Sequence, residues 1–171
     1  MADITPIESR RAMRSAGQVA RTDIVHCLLV PLRGAMLLLP NTTVAEVAAW
    51  QAPEPVADTP DWFLGLLNWR EHQVPVVSFE SVLGGEPARP TPTSRTAVLN
   101  TLNGNAHLPY VGILTQGIPQ LRVVNESLIT PDPEVAVPAP SVACYARLGE
   151  APVMVPDIDD LERRIIKLLN L

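Results

Sequence analysis

No apolar run in the 171 residues approaches the ~18 that cross a bilayer, and the first twenty residues lack the apolar centre of a signal peptide. A cytoplasmic protein without direct membrane insertion is expected. Basic clusters are equally scarce: Arg10, Arg11 and Arg14 form the largest, and the formal net charge is −5. Without that electrostatic footprint, nucleic acid is not an expected partner. There are only two cysteines, Cys27 and Cys144, each inside an apolar run and with no C-x-x-C spacing. Both are expected to be buried, reduced thiols packed as small hydrophobes.

Catalytic patterns are missing too. The chain contains no G-x-S-x-G elbow, no G-x-x-x-x-G-K loop and no G-x-G-x-x-G turn. The three histidines, His26, His72 and His107, fall in separate segments and make no metal-ligand spacing. No cofactor and no metal is expected. The acids Asp157, Asp159 and Asp160 read as the start of a helix rather than as a cation site, because carboxylates there cap and complement the dipole. An enzyme would have to assemble its site from Cys144 and a distant histidine, as a small cysteine- or metal-dependent catalyst, and would show a reactive thiol or a bound metal.

What the chain has in excess is proline, 18 of 171 residues, or about twice the usual ~5 per cent. So many prolines argue for short strands and stiff connections over long helices. Residues 1–22 carry no periodicity and read as a flexible tail with a short helix around Ile7 to Met13. Ile24 to Leu32 is apolar on both alternating faces, as in a strand covered on each side, and Arg33-Gly34 turns it back into Ala35 to Leu39. Thr43 and Glu46 have capping-box spacing ahead of Val47, Ala48 and Trp50, which predicts a short helix. Glu80 to Leu83 make one helical turn, stopped by Gly84-Gly85. The proline-rich stretch 86–93 is the best boundary between two subdomains of a unit spanning 23–171.

Beyond it, Thr96 to Leu102 and His107 to Leu114 flank Asn103-Gly104-Asn105, the strongest hairpin signal in the chain. Ile118 to Val124 is a further strand, and Val142 to Leu148 pairs with Val153 to Val155 around Gly149. The chain closes on a helix whose apolar positions Ile158, Leu161, Ile165, Leu168 and Leu169 share one face. The pattern is mainly β. It fits two small β-barrels side by side, with a single β-sandwich as the alternative.

Function concentrates in Trp62 to Phe79. Two strands flank the charged tetrapeptide Arg70-Glu71-His72-Gln73, and Pro75 places the second strand at a sheet edge or at its own start. A turn that holds an arginine, a carboxylate and an imidazole in solvent on a rigid base is a docking surface more readily than an active site. Trp62, at a loop exit beside Asp61, leans toward exposure, and tryptophan and arginine dominate interface energetics.

Gly65-Leu66-Leu67-Asn68-Trp69-Arg70, followed by Val74-Pro75-Val76-Val77, is similar to the signature of the CheW-like adaptor domain, and Val44-Ala45-Glu46-Val47 stands where that family has a short helix with a V-x-E pattern. The resemblance implies two five-stranded, SH3-like barrels around a shared core and no catalysis. It also implies coupling of a methyl-accepting chemoreceptor to a CheA-like histidine kinase, with other CheW-like proteins as neighbours. By motif it assigns partner binding to Val44, Glu46, Gly65, Asn68 and Arg70, to which the residues themselves add Trp62. Glu71 replaces the family's glycine after the arginine, so it should shape the receptor contact. Trp69 and the Ser78-Phe79-Glu80 ending look like adaptors of type IV pilus, or twitching, systems.

Overall fold

The computed structural model describes residues 23–133, 135 and 138–171, so the expected tail and its helix lie outside the described residues. The chain begins with β1 (Val25–Leu32), which sends Leu28, Val30 and Leu32 into one apolar cluster and Cys27 and Leu29 into another. Two-sided burial is what its unbroken apolar run predicts. Gly34, at φ +72, lets the chain reverse into β2 (Ala35–Pro40), which pairs antiparallel with β1.

A single 3-10 turn, Asn41–Thr43, then carries the chain across to the other half of the molecule, where the expected helix is instead β3 (Val44–Ala49). The reason lies in the alternation: Val44, Glu46 and Ala48 are half-buried while Ala45, Val47 and Ala49 face out. An isolated helix of this length has little stability of its own, whereas the neighbouring strand offers a full ladder. Thr43 does not cap; its hydroxyl donates to the Pro40 carbonyl at 2.8 Å.

Next come β4 (Phe63–Trp69), β5 (His72–Val77) and the single turn α1 (Phe79–Val82), followed by β6 (Arg95–Asn100) and β7 (Tyr110–Thr115). These five strands form one curled sheet in the order β3-β6-β7-β5-β4. β5 is therefore an interior strand. Pro75 is accommodated because its ladder to β7 begins one residue later, at Val76. The β6–β7 connection is nine residues, 101–109, rather than a tight turn; Thr101 donates to the Leu108 carbonyl at 2.6 Å to close it.

The chain crosses back at 116–119 into β8 (Gln120–Val124), β9 (Ile129–Pro131), β10 (Val142–Leu148) and β11 (Ala151–Pro156), which join β1 and β2 in the order β8-β1-β2-β11-β10-β9. The three-residue β9 makes this sheet six-stranded, not five. Stretch 86–93 joins α1 to β6 within one sheet; the crossings between sheets are at 41–43 and 116–119.

Each sheet curls over its own apolar filling. Cys27, Leu38, Ala146 and Val153 fill the six-stranded one, and Leu67, Trp69, Val74 and Val98 the five-stranded one. A third and larger cluster lies between them, from Val30 and Leu37 on one side to Phe79, Leu99 and Ile113 on the other. The last element, α2 (Ile158–Leu169), covers that shared core with Ile158, Leu161 and Ile165. Asp157 caps it by accepting from the Asp160 amide at 2.9 Å, and Asn170 ends it in a left-handed conformation. Buried Glu80 ties the halves together: one carboxylate oxygen accepts from the Arg33 amide of the β1–β2 turn at 3.1 Å, the other from the Ser78 hydroxyl at 3.2 Å.

Candidate docking site

β3 and β4 are the two edges of the five-stranded sheet, and its curl brings them together at the β4–β5 turn. That turn has two residues, Arg70 and Glu71, with Trp69 and His72 paired across it; His72 and Gln73 already belong to β5. Both turn residues have positive φ, +44 and +66. This is the mirror-image turn whose twist suits a hairpin, built here without the glycine it prefers.

One carboxylate oxygen joins the edges. Glu46 Oε2 on β3 lies 2.6 Å from Arg70 Nη2 and accepts from Trp69 Nε1 at 3.2 Å. The guanidinium carbon sits 4.8 Å from the centroid of the Trp69 ring, so stacking and ion pairing fix it together. Trp69 is core, packed edge-on against Tyr110 at 4.9 Å, and Tyr110 meets His72 at 5.1 Å. Arg70 stays 68 per cent exposed, and an ion pair that wet is worth under about 1 kcal/mol. Its contribution is orientation: the guanidinium is held out from the turn with donors to spare.

The other expected site residues do not all gather there. Val44 is half-buried against the shared core, Asn68 is exposed opposite Gln73, and Glu71 points into solvent without an ion-pair partner among the described residues. Trp62 lies at the far end of β4, roughly 25 Å away at about 3.3 Å per strand residue. There the Arg164 guanidinium of α2 sits 5.7 Å from its ring. Gly65 is buried in a bulge at φ +132, directly under the backbone of Glu54, which exchanges two hydrogen bonds with Leu66 at 2.8 and 2.9 Å. Its place is structural, beneath a strap that covers the edge of β4. The strap falls in the proline-rich loop 51–60, which has no strand signal, and Tyr110 and Arg164 are far away in sequence from the hairpin they support.

Replacing Glu71 by glycine removes a side chain from a left-handed position and should stabilise the fold by about 1 kcal/mol. The urea midpoint reads this directly; a fall in the midpoint would mean that the carboxylate holds the turn.

The two thiols lie in different settings. Burial pushes the Cys27 thiol up, away from the reactive thiolate. Cys144, expected inside, is exposed on the outer face of β10 next to a bulge, because the register shifts between Val142 and Cys144. Among the described residues no group of three His, Cys, Asp or Glu could hold a metal, and no helix is long and apolar enough to cross a membrane.

The profile of the CheW-like domain matches residues 26–165. Among curated proteins the chain is 26% identical over 94 residues to the probable chemotaxis protein CheW of Rhizobium etli, covering 55% of this chain and 57% of that protein. To the chemotaxis protein CheW of Rhizobium meliloti it is 28% identical over 93 residues, covering 54% and 57%. The chain thus spans little more than half the length of the curated relatives it matches. In fold it is similar to the scaffolding protein TtCheW from Thermoanaerobacter tengcongensis, with a TM-score of 0.66 and 17% identity over 82% of this chain and 88% of that one. Two curled sheets around a shared core, a closing helix and a family match across 26–165 agree: this chain belongs to the CheW-like domain family.

Proposed function

We propose that this protein is a non-catalytic chemotaxis adaptor that couples a methyl-accepting chemoreceptor to a CheA-like histidine kinase, docking through the turn end of the β4–β5 hairpin. The protein is not an enzyme. The observation that carries the reading is Arg70, held by Glu46 and Trp69 where two sheet edges meet, yet left exposed for a partner. A guanidinium already fixed in place loses little freedom on binding, and its remaining donors suit a partner carboxylate. Glu46 and Glu71 stand beside it, Asn68 lies two residues before it on β4 and Val44 two residues before Glu46 on β3, while Gly65 acts from below by shaping β4. Other CheW-like proteins are further neighbours in such an assembly, and the working place is the cytoplasm.

Arg70→Glu should abolish capture of the kinase and the receptor, or weaken it at least tenfold, with under about 1 kcal/mol lost in stability. Titration of purified partners, with urea unfolding alongside, measures both. Wild-type affinity for both partners would overturn the site. The charge swap Glu46→Arg with Arg70→Glu separates two roles: a charge that meets the partner is not restored by the swap, whereas one that only closes the sheet is.

The finer reading places the adaptor in a type IV pilus system, supported by the aromatic Trp69 and the Ser78-Phe79-Glu80 ending. Deleting it should then impair twitching and leave swimming intact.

A further inference from the structure

The end of β4 opposite the turn carries a separate feature. Trp62, Arg164, Lys167 and Leu168 line a groove of about 420 Å³ between the start of the hairpin and the last two turns of α2. Residues 164, 167 and 168 are neighbours at helical spacing, so one helix face supplies three of the four. Trp62 is half-buried with its body against the shared core, and the Arg164 guanidinium lies 5.7 Å from the ring. Arg164 Nη1 also reaches the Ser141 hydroxyl at 3.4 Å, and that hydroxyl donates to Asp160 at 2.7 Å. Asp160 stands behind Ser141 and outside the groove. Lys167 is exposed and has no ion-pair partner among the described residues. Among the described residues, two cations and an indole thus share a lining without a carboxylate, in a chain whose net charge is −5.

We propose that this groove is a second docking surface and that its occupant is an acidic segment of a protein partner. An apolar side chain of that segment lies on Trp62 and Leu168, and a neighbouring carboxylate meets Arg164 and Lys167. The volume falls within the ~300–1,000 Å³ that holds side-chain-sized guests. A simple inorganic anion would satisfy the two cations and leave the indole and Leu168 uncovered. Nucleic acid would meet the repulsion of an acidic protein around the groove. An acidic peptide with an apolar anchor satisfies both halves of the lining, and tryptophan and arginine are the residues on which such contacts concentrate. The groove lies roughly 25 Å along β4 from Arg70, so it holds whether or not the turn end docks a receptor or kinase. Two separated surfaces would allow one copy of the chain to touch two partners at once.

The test uses the full chain and a fluorescein-labelled peptide that repeats Glu-Leu-Glu-Phe, with its Gln-Leu-Gln-Phe counterpart as control, followed by anisotropy. The acidic peptide should bind at least tenfold tighter than the control. Lys167→Glu should weaken it about tenfold, and Lys167→Gln, which does not oppose the helix C-terminal partial charge, should weaken it severalfold with an unchanged circular dichroism spectrum. Arg70→Glu should bind like wild type, which keeps this surface distinct from the turn end. No binding by wild type, equal binding of the two peptides, or undiminished binding by both Lys167 variants overturns the proposal. Complete displacement of the peptide by millimolar inorganic phosphate or indole acetate would also overturn it, in favour of a small-anion site.

Discussion

Gly65→Ala should cost at least about 3 kcal/mol and leave much of the protein unfolded at ambient temperature. A methyl group at this position would collide with the Glu54 carbonyl oxygen and stand 2.7 Å from its carbon, closer than real side chains come. Both atoms are backbone, so no side chain can swing aside. The strap cannot withdraw without breaking the pair of hydrogen bonds between Glu54 and Leu66, at 2.8 and 2.9 Å, each with a net worth of about 1 kcal/mol. Added to this is φ of +132, which L side chains rarely adopt. Urea unfolding of the purified variant measures the cost, and a loss under about 1 kcal/mol would show that the strap gives way freely. The consequence for function is that lost partner binding in a Gly65 variant would report a displaced strand, not a missing contact.

Gly65 also marks how far the residues could be read before the fold was known. Its place in the G-x-x-N-x-R motif singled it out, and the motif is compatible with docking; only the approach of Glu54 shows why nothing larger fits. The strands themselves were legible because two-sided or alternating burial leaves its period in the chain, as in Ile24 to Leu32 and Phe63 to Trp69. Glu46 was noticed for the wrong local reason. Thr43 and Glu46 have helix-cap spacing, but pairing with β6 is a tertiary effect that local spacing does not record, and the edge strand it creates is what carries the carboxylate to Arg70. The cluster around Trp62 was half legible: the tryptophan was singled out, whereas Arg164 and Lys167, a hundred residues away, come to it only through the docking of α2.

Glu162→Leu should stabilise the protein by about 1–3 kcal/mol, although it removes a charged group from the helix that closes the core. At 100° per residue, position 162 falls about 20° beyond Leu169, at the border of the stripe formed by Ile158, Leu161, Ile165 and Leu169, close enough for the packed core to enclose it, and it is fully buried. One carboxylate oxygen, Oε2, accepts from the Asn103 amide at 2.9 Å; Oε1 has no hydrogen-bond partner among the described residues. A buried carboxylate with a single neutral donor recovers little of its lost hydration. Leucine is close in volume and carries no polar atom, and exposed Asn103 keeps Asp159 as an acceptor at 3.2 Å. A double-mutant cycle decides what the carboxylate does. Asn103→Ala should destabilise the wild-type background by about 1–3 kcal/mol, by stripping Glu162 of the hydrogen bond to Oε2, and should be nearly neutral in the Glu162→Leu background. If Glu162→Leu instead destabilises, and Asn103→Ala costs the same in both backgrounds, then Asn103 anchors the 101–109 connection by itself and the core needs the carboxylate for a reason other than that bond.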